Sequence, residues 1–131
     1  MSIELFAGTW DFDPSASELT SSPSHWKQII DIQGKRIHIR EEISRETGDL
    51  IVEVDAVLDG EFYPVKGSPL VDEISYRLDG QSIHAIGRKQ GVVVLREIVG
   101  LSAAGMLQLS MWLTMSGKEI PLGHASFRRK R

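Results

Sequence analysis

Glycines recur along this chain at Gly34, Gly48, Gly60, Gly80, Gly91, Gly105 and Gly117, most of them 11 to 14 residues apart; one longer step contains Gly67. Between them lie short runs rich in Val, Ile and Leu. Segments of that length, bounded by turn residues, have room for a strand and little else, so the spacing reads as a β-meander, sandwich or barrel. Asp59-Gly60 and Asp79-Gly80 are the strongest hairpin signals, because both central positions of a type I′ turn need positive φ.

The runs alternate with period two. Ile37, Ile39 and Ile43 share a face, opposed by Arg36, His38, Arg40 and Glu42. Leu50, Val52, Val54, Ala56 and Leu58 form a second apolar face, Ile74, Tyr76 and Leu78 a third, and Leu107, Leu109, Met111, Leu113 and Met115 the longest. Such alternation marks strands with one face in a core and one in water. The expected fold is all-β: an up-and-down antiparallel β-barrel of nine or ten strands formed by residues 1–131 as a single domain. Closure removes the open edges that so many short strands would otherwise present, and a two-sheet sandwich is the competing architecture. Helix is confined to at most one short piece within Asp13–Leu19, with Asp13 as cap and Pro14 at the first helical position.

Composition excludes several function classes. There is no cysteine, so disulfides, thiolate nucleophiles and zinc–sulfur sites are ruled out. The net charge of −3 gives no reason to expect nucleic acid. The basic run Arg128–Arg131 reads as a solvated terminus; outside it eleven basic residues face eighteen acidic ones, leaving −7 on the remainder. No apolar run approaches the roughly 18 residues needed for a membrane span. The chain as written reads as cytoplasmic, or as periplasmic or secreted if a leader precedes it.

Gly8-Thr9-Trp10 followed by Asp13-Pro14-Ser15-Ala16-Ser17, the segment from Asp59 to Pro69, Asp72–Arg77, Lys89-Gln90-Gly91 and Phe127-Arg128-Arg129 resemble small bacterial lipocalin-like proteins. The resemblance implies a calycin-type barrel, distantly similar to fatty-acid-binding proteins. It also implies that Trp10 plugs one barrel end beneath a cation of the last strand. Parity with Phe127 makes that cation Arg129. Two departures qualify what carries over. Residues 13–24 are too few for the helical hairpin that closes one mouth in fatty-acid-binding proteins. The positions of their Arg-x-Tyr carboxylate clamp correspond to Ala125 and Phe127. The resemblance therefore implies a fold without a fatty-acid head-group site.

Candidate lining residues follow from the faces taken as inward. Ile37, Ile39, Val52, Val54 and Ile74 supply apolar wall, joined by the large side chains of Trp26, Met111 and Phe127. Glu41, Tyr76 and Arg96 are the polar members. Glu41 continues the Ile37/Ile39/Ile43 face, where a carboxylate is unfavourable unless paired or protonated, or else the strand twists it into water. Arg96 lies between Val94 and Ile98, and Glu97 between Leu95 and Val99, so one charge must share a face with apolar neighbours whichever phase holds. Arg96 inside would suit an anionic ligand or pair with Glu41. Trp112 is out of phase with the Leu/Met stripe and marks a mouth or an interface, with a homodimer as one consequence. His25, His38, His84 and His124 form no metal pattern, and no glycine-rich haem motif follows Trp10, so no cofactor is expected. These features point to non-catalytic binding of a small apolar or amphipathic molecule inside the barrel. The alternative is a filled barrel that dimerises through an apolar outer face.

Overall fold

Alternation along the strands is realised as one antiparallel sheet that closes on itself. The computed structural model describes residues 3–130. Its strands are β1 (Gly8–Phe12), β2 (Glu18–Leu19), β3 (His25–Gln33), β4 (Arg36–Arg45), β5 (Gly48–Val57), β6 (Phe62–Lys66), β7 (Glu73–Asp79), β8 (Ser82–Lys89), β9 (Val92–Leu101), β10 (Leu107–Met115) and β11 (Lys118–Arg129). All but β2 follow one another round the barrel, and β1 pairs with both β3 and β11 to close it. The result is a closed ten-strand antiparallel barrel. The two-residue β2 is a spur on β11, paired at Gly123 and His124.

Helix among the described residues amounts to two 3-10 turns, Ile3–Phe6 and Pro14–Ala16. The second begins as its sequence dictates: Asp13 Oδ1 accepts the backbone N–H of Ser15 at 3.0 Å, and Pro14 takes the first position. It stops after one turn because Ser17 is pulled onto β11, where its Oγ accepts the Ser126 N–H at 2.8 Å.

The two Asp-Gly turns differ from expectation. Pairing of Asp79 with Ser82 makes Gly80-Gln81 the connecting pair, and Gly80 alone of the two has positive φ, +61°. That is the glycine-first pattern of a type II′ connection, with no positive φ asked of Asp79. The β5–β6 register centres on Asp59-Gly60, but the ladder opens beyond Val54 and Val65. Asp59 Oδ1 accepts the Glu61 N–H, Tyr63 Oη donates to Asp59 Oδ2, and the Gly60 N–H donates across to Tyr76 O. The side-chain hydrogen bonds of Asp59 thus stabilise a wide loop in place of a tight hairpin. The type I′ positions fall instead at Gln90-Gly91 and Ser116-Gly117, where all four residues have positive φ.

Trp10 is wholly buried at one barrel end, its Nε1 donating to Phe6 O at 2.9 Å. Register places Arg129 opposite it, and the guanidinium lies 4.2 Å above the indole while donating to Ala7 O and Leu5 O. The basic run is not a frayed terminus. Arg128 Nε donates to Asp13 Oδ2 at 2.7 Å, and the Lys130 N–H donates to Thr9 O. Its last residue, Arg131, lies outside the described residues. Among those residues, no helix is long and apolar enough to cross a membrane.

Candidate functional site

The barrel interior divides into a packed end and an open one. Towards the Trp10 end, Phe6, Ile37, Ala56, Ile83, Leu107 and Leu109 fill the space. Phe127 is fully buried there, its ring 5.0 Å from Trp26 in an edge-to-face contact and 5.8 Å from Phe12. Above this aromatic layer lies an inner chamber of about 260 Å³. It adjoins an outer space of about 620 Å³ bounded by residues 19–23, the β4–β5 turn at residues 45–47, and Met111 and Leu122. Trp26, Ile43, Arg45, Met111 and Leu122 line both, so the chamber opens through the mouth.

The walls of the chamber come from strands whose apolar faces were legible. Val52 and Val54 project from β5, and Ile74 and Tyr76 from β7. Loop residues 68–71 fold over one side, held by Ser68 Oγ accepting the N–H groups of Leu70 and Val71. Trp26, Glu41 and Met111 complete the set of candidates that the structure brings together. Ile37 and Phe127 belong to the packed core and Ile39 packs against it, so these three support the chamber without lining it.

Arg96 is a correction. Its Nε and Nη2 donate to the two carboxylate oxygens of Glu119 at 2.6 and 3.0 Å, and its guanidinium covers Trp112 at 4.0 Å. It faces outward, and Glu97 faces the chamber in its place. The reason is register: Glu97 pairs with Ala85 on β8 and Met111 on β10, both inward, while Leu95, Val99 and Leu101 extend the same interior face. The same pairing explains Trp112, which is aligned with Arg96 on the outer surface beyond an irregularity between Met111 and Trp112.

The polar groups of the chamber are therefore acidic and aromatic. Glu41 Oε1 accepts from Trp26 Nε1 at 2.8 Å and from Gln28 Nε2 at 3.1 Å. Both Glu41 and Glu97 lie deep within the barrel; the partial exposure each retains is to the chamber rather than to bulk water. Burial raises the Glu41 carboxyl above its ordinary range, against the lowering effect of its two hydrogen bonds. Burial, reinforced by the charge of Glu41, pushes Glu97 up to about 8. Burial first, then Glu97 and Glu41, hold the Tyr76 phenol well above its usual value. At neutral pH Glu97 and Tyr76 therefore hold their protons and can donate as well as accept. Sequence reasoning missed Glu97 and Gln28. The signal for Glu97 was present as an unresolved choice of phase; Gln28, 7% exposed, carried none. Among the described residues no group of three or more His, Asp or Glu is arranged to hold a metal ion.

A closed ten-strand barrel with an open, mostly apolar chamber and a few convergent polar groups is the architecture of the lipocalin and fatty-acid-binding-protein class. Among solved structures, a mutant of the fluorescent protein UnaG matches with a TM-score of 0.68 at 18% identity, covering 98% of each chain. The zebrafish ileal bile acid-binding protein complexed with cholic acid matches with a TM-score of 0.66 at 10% identity, covering 96% of this chain and 99% of that one. At such identities the likeness is one of fold. No protein-family profile matches the chain, and no curated protein matches it significantly.

Proposed function

We propose that the barrel binds one small apolar or amphipathic molecule, its apolar body against Val52, Val54, Ile74 and Met111 and its polar end at Glu41, Glu97 and Tyr76. The observation that carries this reading is the chamber itself, open through the mouth and walled mainly by aliphatic side chains. The structural neighbours support it: one is a bile acid-binding protein in complex with cholic acid. The activity is binding rather than catalysis, and the kinship with small bacterial lipocalin-like proteins belongs to the same proposal.

A filled barrel that dimerises has less support. The chamber is open space, and the outer face of Trp112, which prompted the homodimer, is covered by the chain's own Arg96. The test is titration with N-phenyl-1-naphthylamine, a neutral dye that brightens in apolar cavities, alongside native mass spectrometry of the purified protein. One dye per chain, displaced by a co-purifying small molecule where one is carried, is expected. Absence of saturable uptake together with a bare, ligand-free mass defeats the reading.

A further inference from the structure

We infer that the ligand's buried end is a cation, an ammonium or comparable nitrogen centre on an apolar body, received by Glu41, Glu97 and Tyr76. The inference rests on the ligand-binding reading above and names the chemical class of the ligand.

Three polar groups from three strands reach the chamber without satisfying one another. Glu97 on β9 has no hydrogen-bond or ion-pair partner among the described residues. Tyr76 on β7 is only 5% exposed, yet its hydroxyl likewise has no hydrogen-bond partner among them. Glu41 on β4 accepts both of its hydrogen bonds on Oε1, which leaves Oε2 open. These atoms face the open chamber, and a ligand that displaces water from it must complete them or leave them unsatisfied. Two carboxyl groups and a phenol oxygen lining an apolar chamber form a receptor for positive charge, and the indole of Trp26 adds an aromatic wall of the kind cations favour.

The other charged groups that line these spaces do not change the sign. Arg45 stands exposed at the rim shared by chamber and mouth, and Glu46 lines the outer space. Among the described residues Arg45 at the rim is the cation that lines the chamber, and none bears on the carboxyl of Glu41 or Glu97; Arg96 is engaged outside by Glu119. A carboxylate head group driven to the chamber floor would meet two acids with no counter-charge. An ammonium group there converts a neutral carboxylic acid into its ion-pair partner, and the displaced proton leaves to solvent. Because Glu97 holds its proton up to about pH 8, that release is measurable at neutral pH.

The experiment compares decylammonium, decanol and decanoate by isothermal titration at pH 7, in two buffers of different ionisation enthalpy. Decylammonium is expected to bind tightest, with a margin of roughly tenfold or more over decanoate. It should release about one proton per molecule bound, while decanol releases none. Glu97→Gln should abolish the proton release and narrow the ammonium-to-alcohol affinity ratio by about tenfold, and Tyr76→Phe should narrow it less. Both variants keep the shape of the parent side chain and remove an unpartnered ionisable group or hydroxyl, so both are expected to fold. Decanoate binding as tightly as decylammonium, or ammonium binding without proton release, overturns the inference while leaving ligand binding intact. Failure of all three probes and of the neutral dye overturns both.

Discussion

Glu97 is the residue at which the fold most clearly gives up stability. Its carboxyl titrates near 8 in the folded protein against 4.5 ordinarily, so the native state holds this proton more tightly than the unfolded chain does. Stability from this group is therefore greatest below about pH 4.5, falls as pH rises from there to about 8, and is level above. Glu97→Gln removes the fall. The variant should exceed the parent by roughly 5 kcal/mol at pH 9 and match it near pH 4, since each tenfold change in proton affinity corresponds to about 1.4 kcal/mol. Urea denaturation of both proteins at the two pH values checks this, and an equal gain at both would remove the buried-acid account. Trp10 makes the opposite contribution. It is wholly buried, hydrogen-bonded to Phe6 O and roofed by Arg129, so Trp10→Ala should destabilise by about 3–5 kcal/mol. An unchanged thermal midpoint would show that it plugs nothing. Arg96 is neither buried nor alone: about a third of its side chain is in solvent, and its partner Glu119 is more exposed still. Arg96→Ala should lower stability by less than about 1 kcal/mol and leave the affinity of any ligand in the chamber unchanged. A large loss of ligand affinity would return Arg96 to the interior.

Among elements, strands were legible where one face is apolar and the other is not. The faces of Ile37, Ile39, Glu41 and Ile43 on β4 and of Leu50, Val52, Val54 and Ala56 on β5 are the interior faces, because no alternative phase buries as much apolar surface. β9 was not legible, because Val94 and Ile98 compete with Leu95 and Val99 at equal hydrophobicity. There the decision passes to cross-strand partners, Ala85 and Met111, which no single segment encodes. Turns failed for a related reason: Asp-Gly marks a reversal, while the exact connecting pair depends on where the ladders on either side end. Gly67 shows what a local reading of glycine omits. It sits at φ +86°, and a Cβ there would lie 1.9 Å from Ile51 O, so the loop that covers the chamber can approach β5 only without a side chain. Gly60 has a similar φ, +80°, but nothing within 4 Å of its Cβ position. Gly60→Ala should therefore show only the backbone penalty of about 1–2 kcal/mol, whereas Gly67→Ala should exceed it and disturb the chamber wall. Equal effects in thermal denaturation would mean that the Gly67 contact with Ile51 relaxes freely.

At the scale of the whole molecule, the barrel is sealed unevenly. On one side, β4 pairs with β5 along its entire length, from Arg36↔Val57 to Arg45↔Gly48. On the other, β5 meets β6 at Glu53↔Lys66 and Val54↔Val65, and β6 meets β7 at three positions from Phe62 to Pro64. Pro64 has no N–H to add to a ladder, and no β5–β6 pairing continues from Val54↔Val65 towards the wide loop around Asp59-Gly60. The seam borders the chamber, because Val54, Val65 and Ile74 all line it. Among the described residues no helical hairpin covers the mouth, and this seam and the loop at residues 67–71 are where the wall beside it can widen with the least loss of structure. Local opening draws on the segments with the fewest backbone hydrogen bonds and least buried contact. In native-state hydrogen exchange, the amides of β6 should exchange ahead of those of β4 and β5, at denaturant concentrations too low to unfold the barrel. A ligand seated in the chamber should slow β6 more than β4, since it packs against the seam from inside. Uniform protection round the barrel would show a sealed wall, and access to the chamber would then run through the mouth alone.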